Sequence, residues 1–194
     1  IMYGSSLYIN GYDLDLSYSD AQFTGEATGD QAGYTVSDAG DVDGDGLADF
    51  IVSSPLYGSN DAGRTYLVYG VNAATTGLGA ADVVFTGEAL EDTSGFSIDS
   101  AGDIDNDGLD DLIIGAPYNS EAGALAGKAY VLFGSSLSGV SSLSLVDADV
   151  HLLGQAQYDY AGYSVAGIGD VDGDGLDDIL IAAQWNDSTG EDAG

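Results

Sequence analysis

Short apolar runs without polar alternation punctuate this chain: Phe50-Ile51-Val52-Ser53, Leu112-Ile113-Ile114 and Ile179-Leu180-Ile181. A strand with one face in water alternates apolar and polar side chains, so such runs predict strands buried on both faces, like the inner strands of stacked sheets. The surroundings of each run repeat in order. A glycine, an aromatic residue and a Ser or Thr come first, as Gly33-Tyr34-Thr35, Gly95-Phe96-Ser97 and Gly162-Tyr163-Ser164, and predict a first strand. An acidic loop leads into the apolar run, which is the second strand. Residues 65–69 and 129–133, rich in Tyr, Val and Phe between glycines, predict a third. A fourth is expected at 82–87 and 149–154, with 21–25 as its counterpart ahead of the first copy. With 30 glycines, two prolines and no long amphipathic period, little helix is expected.

Asp41 and Asp103 stand 62 residues apart, and Asp103 and Asp170 stand 67 apart. That period is too long for helical solenoids and suits a four-stranded β unit. The third copy loses its proline, with Gln184 where the others carry Pro55 and Pro117.

The acidic loops carry the chemistry. Carboxylates occupy loop positions 1, 3, 5 and 9: Asp41, Asp43, Asp45 and Asp49; Asp103, Asp105, Asp107 and Asp111; Asp170, Asp172, Asp174 and Asp178. Position 6 is always glycine, and the main-chain carbonyl of position 7 (Leu47, Leu109, Leu176) is placed to complete an oxygen shell. An all-oxygen cage selects a hard cation, and its irregular shape suits calcium better than magnesium, so one calcium ion per loop is expected. The loops are not EF-hands, because position 12 is Val52, Ile114 or Ile181 in place of a bidentate Glu. Ordinary solvated turns are the competing reading of any one loop; three in one register favour metal. Two carboxylates about 5 Å apart repel by roughly 1–3 kcal/mol, so removing calcium should loosen the chain.

Composition narrows the partners. The chain has 33 Asp and Glu against two basic residues, Arg64 and Lys128, a formal net charge of -31. Nucleic acid and anionic lipid are bound through Lys and Arg, so neither is expected as a partner. There is no cysteine to form a disulfide or a thiolate metal site. No stretch approaches the roughly 20 apolar residues of a membrane span, so no membrane insertion is expected. Calcium dependence and acidity together point to an extracellular or cell-surface location. The 44% hydrophobic content is enough for a core.

In this order the residues resemble the FG-GAP repeats of integrin alpha-subunit propellers and their bacterial relatives. Gly95-Phe96 supplies the FG, with Gly33-Tyr34 and Gly162-Tyr163 as variants, and Gly115-Ala116-Pro117 supplies the GAP. The resemblance implies an all-β fold: β-propeller blades of four-stranded antiparallel sheets, with the calcium loop joining the first and second strands. Ser53-Ser54-Pro55 and Ala182-Ala183-Gln184 depart from the GAP pattern. One repeat region is expected over 1–194: a half-blade at 1–31 holding strands three and four, blades at 32–93 and 94–160, and a half-blade at 161–194 holding strands one and two. Such a partial ring is either part of a longer adhesin-like protein, the preferred reading, or a unit whose open edges pair with a second copy.

Three functions compete. A module for adhesion or for binding a protein or glycan leads, a calcium-stabilised scaffold in a larger surface protein follows, and a propeller hydrolase comes last. No catalytic residue is expected, because the one histidine, His151, falls in a fourth strand without a nucleophile motif. Tyr57, Tyr118 and Trp185 follow the second strands and are candidates either for ligand contact or for packing between blades. No Arg-Gly-Asp sequence is present.

Overall fold

The computed structural model of the protein describes residues 1–3, 19–70 and 76–187. Of the half-blade expected at 1–31, residues 4–18 lie outside these. In chain order the strands are β1 (Phe23–Thr24), β2 (Val36–Gly40), β3 (Asp49–Ser54), β4 (Arg64–Val68), β5 (Thr76–Gly77), β6 (Val83–Thr86), β7 (Ser97–Gly102), β8 (Asp111–Ala116), β9 (Lys128–Leu132), β10 (Ser142–Ser144), β11 (Val150–Leu153), β12 (Ser164–Gly169) and β13 (Asp178–Ala182). Single 3-10 turns are the only helical elements among the described residues.

The strands form antiparallel meanders of one pattern. β2, β3, β4 and β6 pair in that spatial order, as do β7, β8, β9 and β11, while β12 and β13 form a pair. These open sheets are propeller blades, as expected. One feature departs from plain four-stranded blades. β10, from the connection between the third and fourth strands of the second blade, adds in parallel to the outer strand β6 of the first. β5 adds to β1 in the same way one step earlier. Each of the two four-stranded blades thus lends a short strand to its predecessor's outer edge and satisfies backbone groups that an edge would expose.

Packing explains the uninterrupted apolar runs. Ile51 of β3 enters a core shared with Ile98, Leu112, Ile114, Tyr130 and Leu132 of the next blade, whereas Val52 faces the opposite way, toward Tyr66 and Leu78. In β8 the neighbours Leu112 and Ile114 turn to the first blade, and Ile113 turns to Val165, Ile179 and Ile181 of the third sheet. Alternate residues of one strand therefore fill two different cores. On β13 one face is covered and Leu180, on the other, is 58% exposed.

The first strands start later than the sequence suggests. Gly33, Gly95 and Gly162 have φ of +85°, +84° and +81°, a conformation foreign to strands. The Gly-aromatic pair belongs to the turn before the strand, closed by Tyr34, Phe96 and Tyr163 N–H donating to Gln31, Thr93 and Tyr160 carbonyls. The Ser or Thr that follows reaches the next blade. Thr35 Oγ1 donates to Phe96 O (3.1 Å) and Ser97 Oγ to Gly162 O (2.8 Å). A Cβ on Gly115, the glycine of GAP, would run into the Gly162 carbonyl, so FG and GAP are the two sides of one blade contact.

Candidate cation loops and ligand surface

Each acidic loop hangs between the first and second strands of its blade, after a β-bulge at Gly40, Gly102 or Gly169. The backbone folds in because the carboxylates collect amide donors. The position-1 aspartate takes the position-6 glycine amide at 3.0 Å in all three copies: Gly46 to Asp41, Gly108 to Asp103 and Gly175 to Asp170. Position 5 takes the position-7 amide, Leu47 to Asp45 (2.8 Å), Leu109 to Asp107 (2.9 Å) and Leu176 to Asp174 (2.9 Å). Position 4 is left-handed, with Gly44 and Gly173 at φ +76° and +81°; the second copy uses Asn106 at +58°, a residue that tolerates this region.

Position 9 has a different task. Asp49 accepts from Val42 N (2.9 Å) and Gly70 N (2.9 Å), and Asp111 from Ile104 N (3.0 Å) and Gly134 N (2.9 Å), so each ties its loop to the end of the third strand. Both are buried. Asp178 makes only the first of these bonds, from Val171 N at 2.8 Å, among the described residues. Sequence spacing marked position 9 as a ligand and did not reveal this bracing role.

Carboxylate oxygens from three aspartates approach within 4.8 Å of one another in each loop: Asp41, Asp43 and Asp45; Asp103, Asp105 and Asp111; Asp170, Asp172 and Asp178. Asp49, Asp107 and Asp174 lie outside the tightest sets; Asp107 and Asp174 serve the turn, and Leu47 and Leu176 side chains point to solvent. Asp41 Oδ1 is buried with no hydrogen-bond partner. An unpartnered buried carboxylate oxygen beside two further carboxylates is costly without a cation, so the residues present fit a hard divalent ion.

Burial pushes the Asp111 carboxyl up to about 6, helped by Asp105 and Asp107 and opposed by its two amide donors. Asp49 shifts the same way, again first through burial. Without metal, folded protein holds this proton more tightly than unfolded chain, so stability is greatest below the unfolded carboxylate value and falls as pH rises through about 6. Metal-stripped protein is therefore expected to melt roughly 3–5 °C higher near pH 5 than near pH 7.5. A bound cation would reverse the slope, since protons would compete for the ligands. Calorimetry at both pH values checks this; equal midpoints without metal would refute the assignment.

A second constellation crosses the blades. Tyr34 and Phe96 rings lie 5.3 Å apart and Phe96 and Tyr163 4.8 Å apart, so the aromatic residues of the three Gly-aromatic turns form one strip. Tyr118 joins Phe96 edge-on at 6.0 Å, Tyr160 joins Tyr118 at 5.7 Å, and Trp185 lies 6.3 Å from Tyr160. A cleft of about 230 Å³ opens between Tyr118, Tyr160, Tyr163, Gln184 and Trp185. Tyr34 and Trp185 remain about half exposed. Tyr57 is not part of the strip, because the Arg64 guanidinium covers its ring at 3.6 Å. His151 is half-buried and meets the buried Tyr130 ring edge-on.

The sequence model of the FG-GAP repeat family matches residues 32–68, 94–132 and 161–194. The chain belongs to the FG-GAP repeat family. Among curated proteins this FG-GAP chain is similar to integrin alpha-5 of Xenopus laevis, 32% identical over 197 residues covering 97% of the chain and 18% of that protein. It is also similar to integrin alpha-PS2 of Drosophila melanogaster, at 28% identity over 84% of the chain and 12% of that protein. Integrin alpha-IIb of Homo sapiens is 32% identical over 82% of the chain and 15% of that protein. The FG-GAP chain thus spans less than a fifth of the length of these relatives.

The two cations of this FG-GAP chain occupy one repeat position, the first residue of the third strand. Arg64 pairs with Glu26 at 2.7 Å, and Lys128 with Glu88 (2.7 Å) and Glu121 (2.6 Å). Glu26 and Glu88 each follow the glycine just past the preceding fourth strand, so these pairs span blades. Asp92 and Asp159 lie buried beneath and accept from Asn119 (2.7 Å) and Asn186 (2.8 Å). In the first copy Tyr57 replaces that asparagine, and Asp30 Oδ2 is left buried without a partner.

Proposed function

We propose that the chain is a calcium-loaded part of a cell-surface adhesion propeller, with the aromatic strip as its ligand-facing surface. The strip is the observation that carries this reading. Its rings cross three blades in register, remain partly exposed at both ends, and sit on a protein of net charge -31. Aromatic faces in a negative field favour cationic and amphipathic groups, so a protein ligand presenting Arg or Lys is the best match. A glycan stacked on Trp185 is the second candidate.

Calcium supports the surface from a distance. Asp41, Asp43, Asp45 and Asp49, with their counterparts in the other two loops and the main chain of Leu47, Leu109 and Leu176, would hold one ion each. The ion would supply positive charge that lets the carboxylates crowd at the strand ends. Its relatives being integrin alpha subunits supports an adhesion role outside the cell in place of catalysis or a purely structural one.

The test is a binding array of peptides and glycans probed in calcium with the parent protein and with Trp185→Ala and Tyr118→Ala. Loss of about ten-fold or more in affinity is expected for ligands that use the strip. Ligands bound equally well by both variants would move the binding surface elsewhere, and an array without hits would favour the scaffold reading.

A further inference from the structure

The acidic loops are clasped to one another by a residue that is not among their expected ligands. Loop position 8 is Asp110 in the second copy and Asp177 in the third. Asp110 Oδ2 accepts from the backbone N–H of Asp41, the first residue of the preceding loop, at 2.7 Å. The Asp110 N–H donates back to the Asp41 carbonyl at 3.2 Å. Asp177 repeats the pair on Asp103, accepting at 3.1 Å and donating at 3.4 Å. In both places the carboxylate lies over a glycine, Gly40 or Gly102, where a Cβ would collide with it. Leu109 also lies against Gly44 of the preceding loop. The first copy has Ala48 at position 8 and so lacks this carboxylate.

The clasp acts on the residue that organises each loop. Asp41 supplies the carboxylate that gathers the Gly46 amide, and its Oδ1 is the buried oxygen left without a partner. Fixing both backbone groups of Asp41 holds that oxygen in place before a cation arrives. The geometry points to positioning of each cation loop by the loop that follows it. Asp110 positions the loop at 41–49 and Asp177 positions the loop at 103–111, so each carboxylate raises the cation affinity of the loop before its own. The inference rests on the calcium reading above.

The signature is displacement by one blade between a substitution and its effect. The amides of Gly46, Gly108 and Gly175 each bond inside one loop, so calcium titrations followed by amide NMR read the loops separately. In Asp110→Ala, half-saturation at Gly46 is expected to need about ten-fold more calcium. Gly108, in the loop that carries the substitution, should shift by less than about two-fold. Asp110→Asn keeps an acceptor oxygen and should stay close to the parent protein. Asp177→Ala moves the main effect to Gly108 and gives the same comparison if Asp110→Ala does not fold.

An Asp110→Ala effect at Gly108 as large as at Gly46, or none at Gly46, overturns the proposal. So does an Asp110→Asn loss equal to that of Asp110→Ala, which would assign the effect to charge alone. If none of the three glycines of the parent protein responds to calcium, the calcium reading itself fails, an outcome distinct from either of these.

Discussion

Stripping calcium is expected to lower the thermal midpoint by about 15 °C relative to protein in about 10 mM calcium. Extracellular sites typically bind at about 0.1–1 mM, so each loop gains roughly 1.4–2.7 kcal/mol from occupancy at that concentration. Three loops together contribute about 4–8 kcal/mol, and a chain of this length shifts by about 2–4 °C per kcal/mol. Total stability is only about 5–15 kcal/mol, so the metal-free chain lies near its limit. Magnesium at equal concentration should recover little, because it prefers strict octahedral geometry and its own waters. Thermal unfolding by circular dichroism with verified metal content decides the matter. An unchanged midpoint after stripping would make the loops ordinary turns and remove calcium from the proposed function.

Lys128→Met is expected to cost about 3–5 kcal/mol, roughly 10 °C in midpoint, with calcium saturating. The Lys128 side chain is 1% exposed, and its ammonium is held between Glu88 and Glu121. Burial by itself would raise the Glu88 carboxyl, yet hydrogen bonding and attraction from Lys128 hold it below the ordinary range. Removing Lys128 leaves that carboxylate half-buried in a protein already carrying a net charge of -31. The double variant Lys128→Met with Glu88→Gln should recover a large part of the loss, since the uncompensated charge disappears with its partner. Arg64→Met is the contrast. Arg64 and Glu26 side chains are 20% and 28% exposed, and a screened pair of this kind is worth about 1 kcal/mol or less. Equal losses for Arg64→Met and Lys128→Met would mean that burial does not set the difference.

Much of the site was legible before any coordinates, because loop chemistry is local. Aspartates at alternate positions around a glycine bend the backbone by bonding amides two to five residues away, and such contacts are written in the spacing itself. Position 9 was harder to read. Asp49 and Asp111 carry the same spacing signal as their neighbours, yet each bonds a glycine after the third strand, 21 and 23 residues on. The Gly-aromatic motif was found but assigned to a strand. Its glycines have positive φ, and the aromatic rings meet those of neighbouring blades. Tyr57 and Tyr118 were grouped as aromatics after the second strand, but Tyr57 stands one place further from the proline, at the position of Asn119, and Arg64 covers it while Tyr118 joins the strip.

The sequence by itself determined the repeat, the strand content and the acidic loops, since each follows from short-range periodicity and side-chain chemistry. Tertiary structure alone decided what joins one repeat to the next. The strands that β5 and β10 lend to a neighbour, the use of both basic residues at one blade contact, the aromatic strip and the Asp110 and Asp177 clasps all connect residues brought together by the stacking of sheets. A blade buries both faces only against other blades, so these contacts depend on the relative placement of whole sheets, which no local pattern encodes.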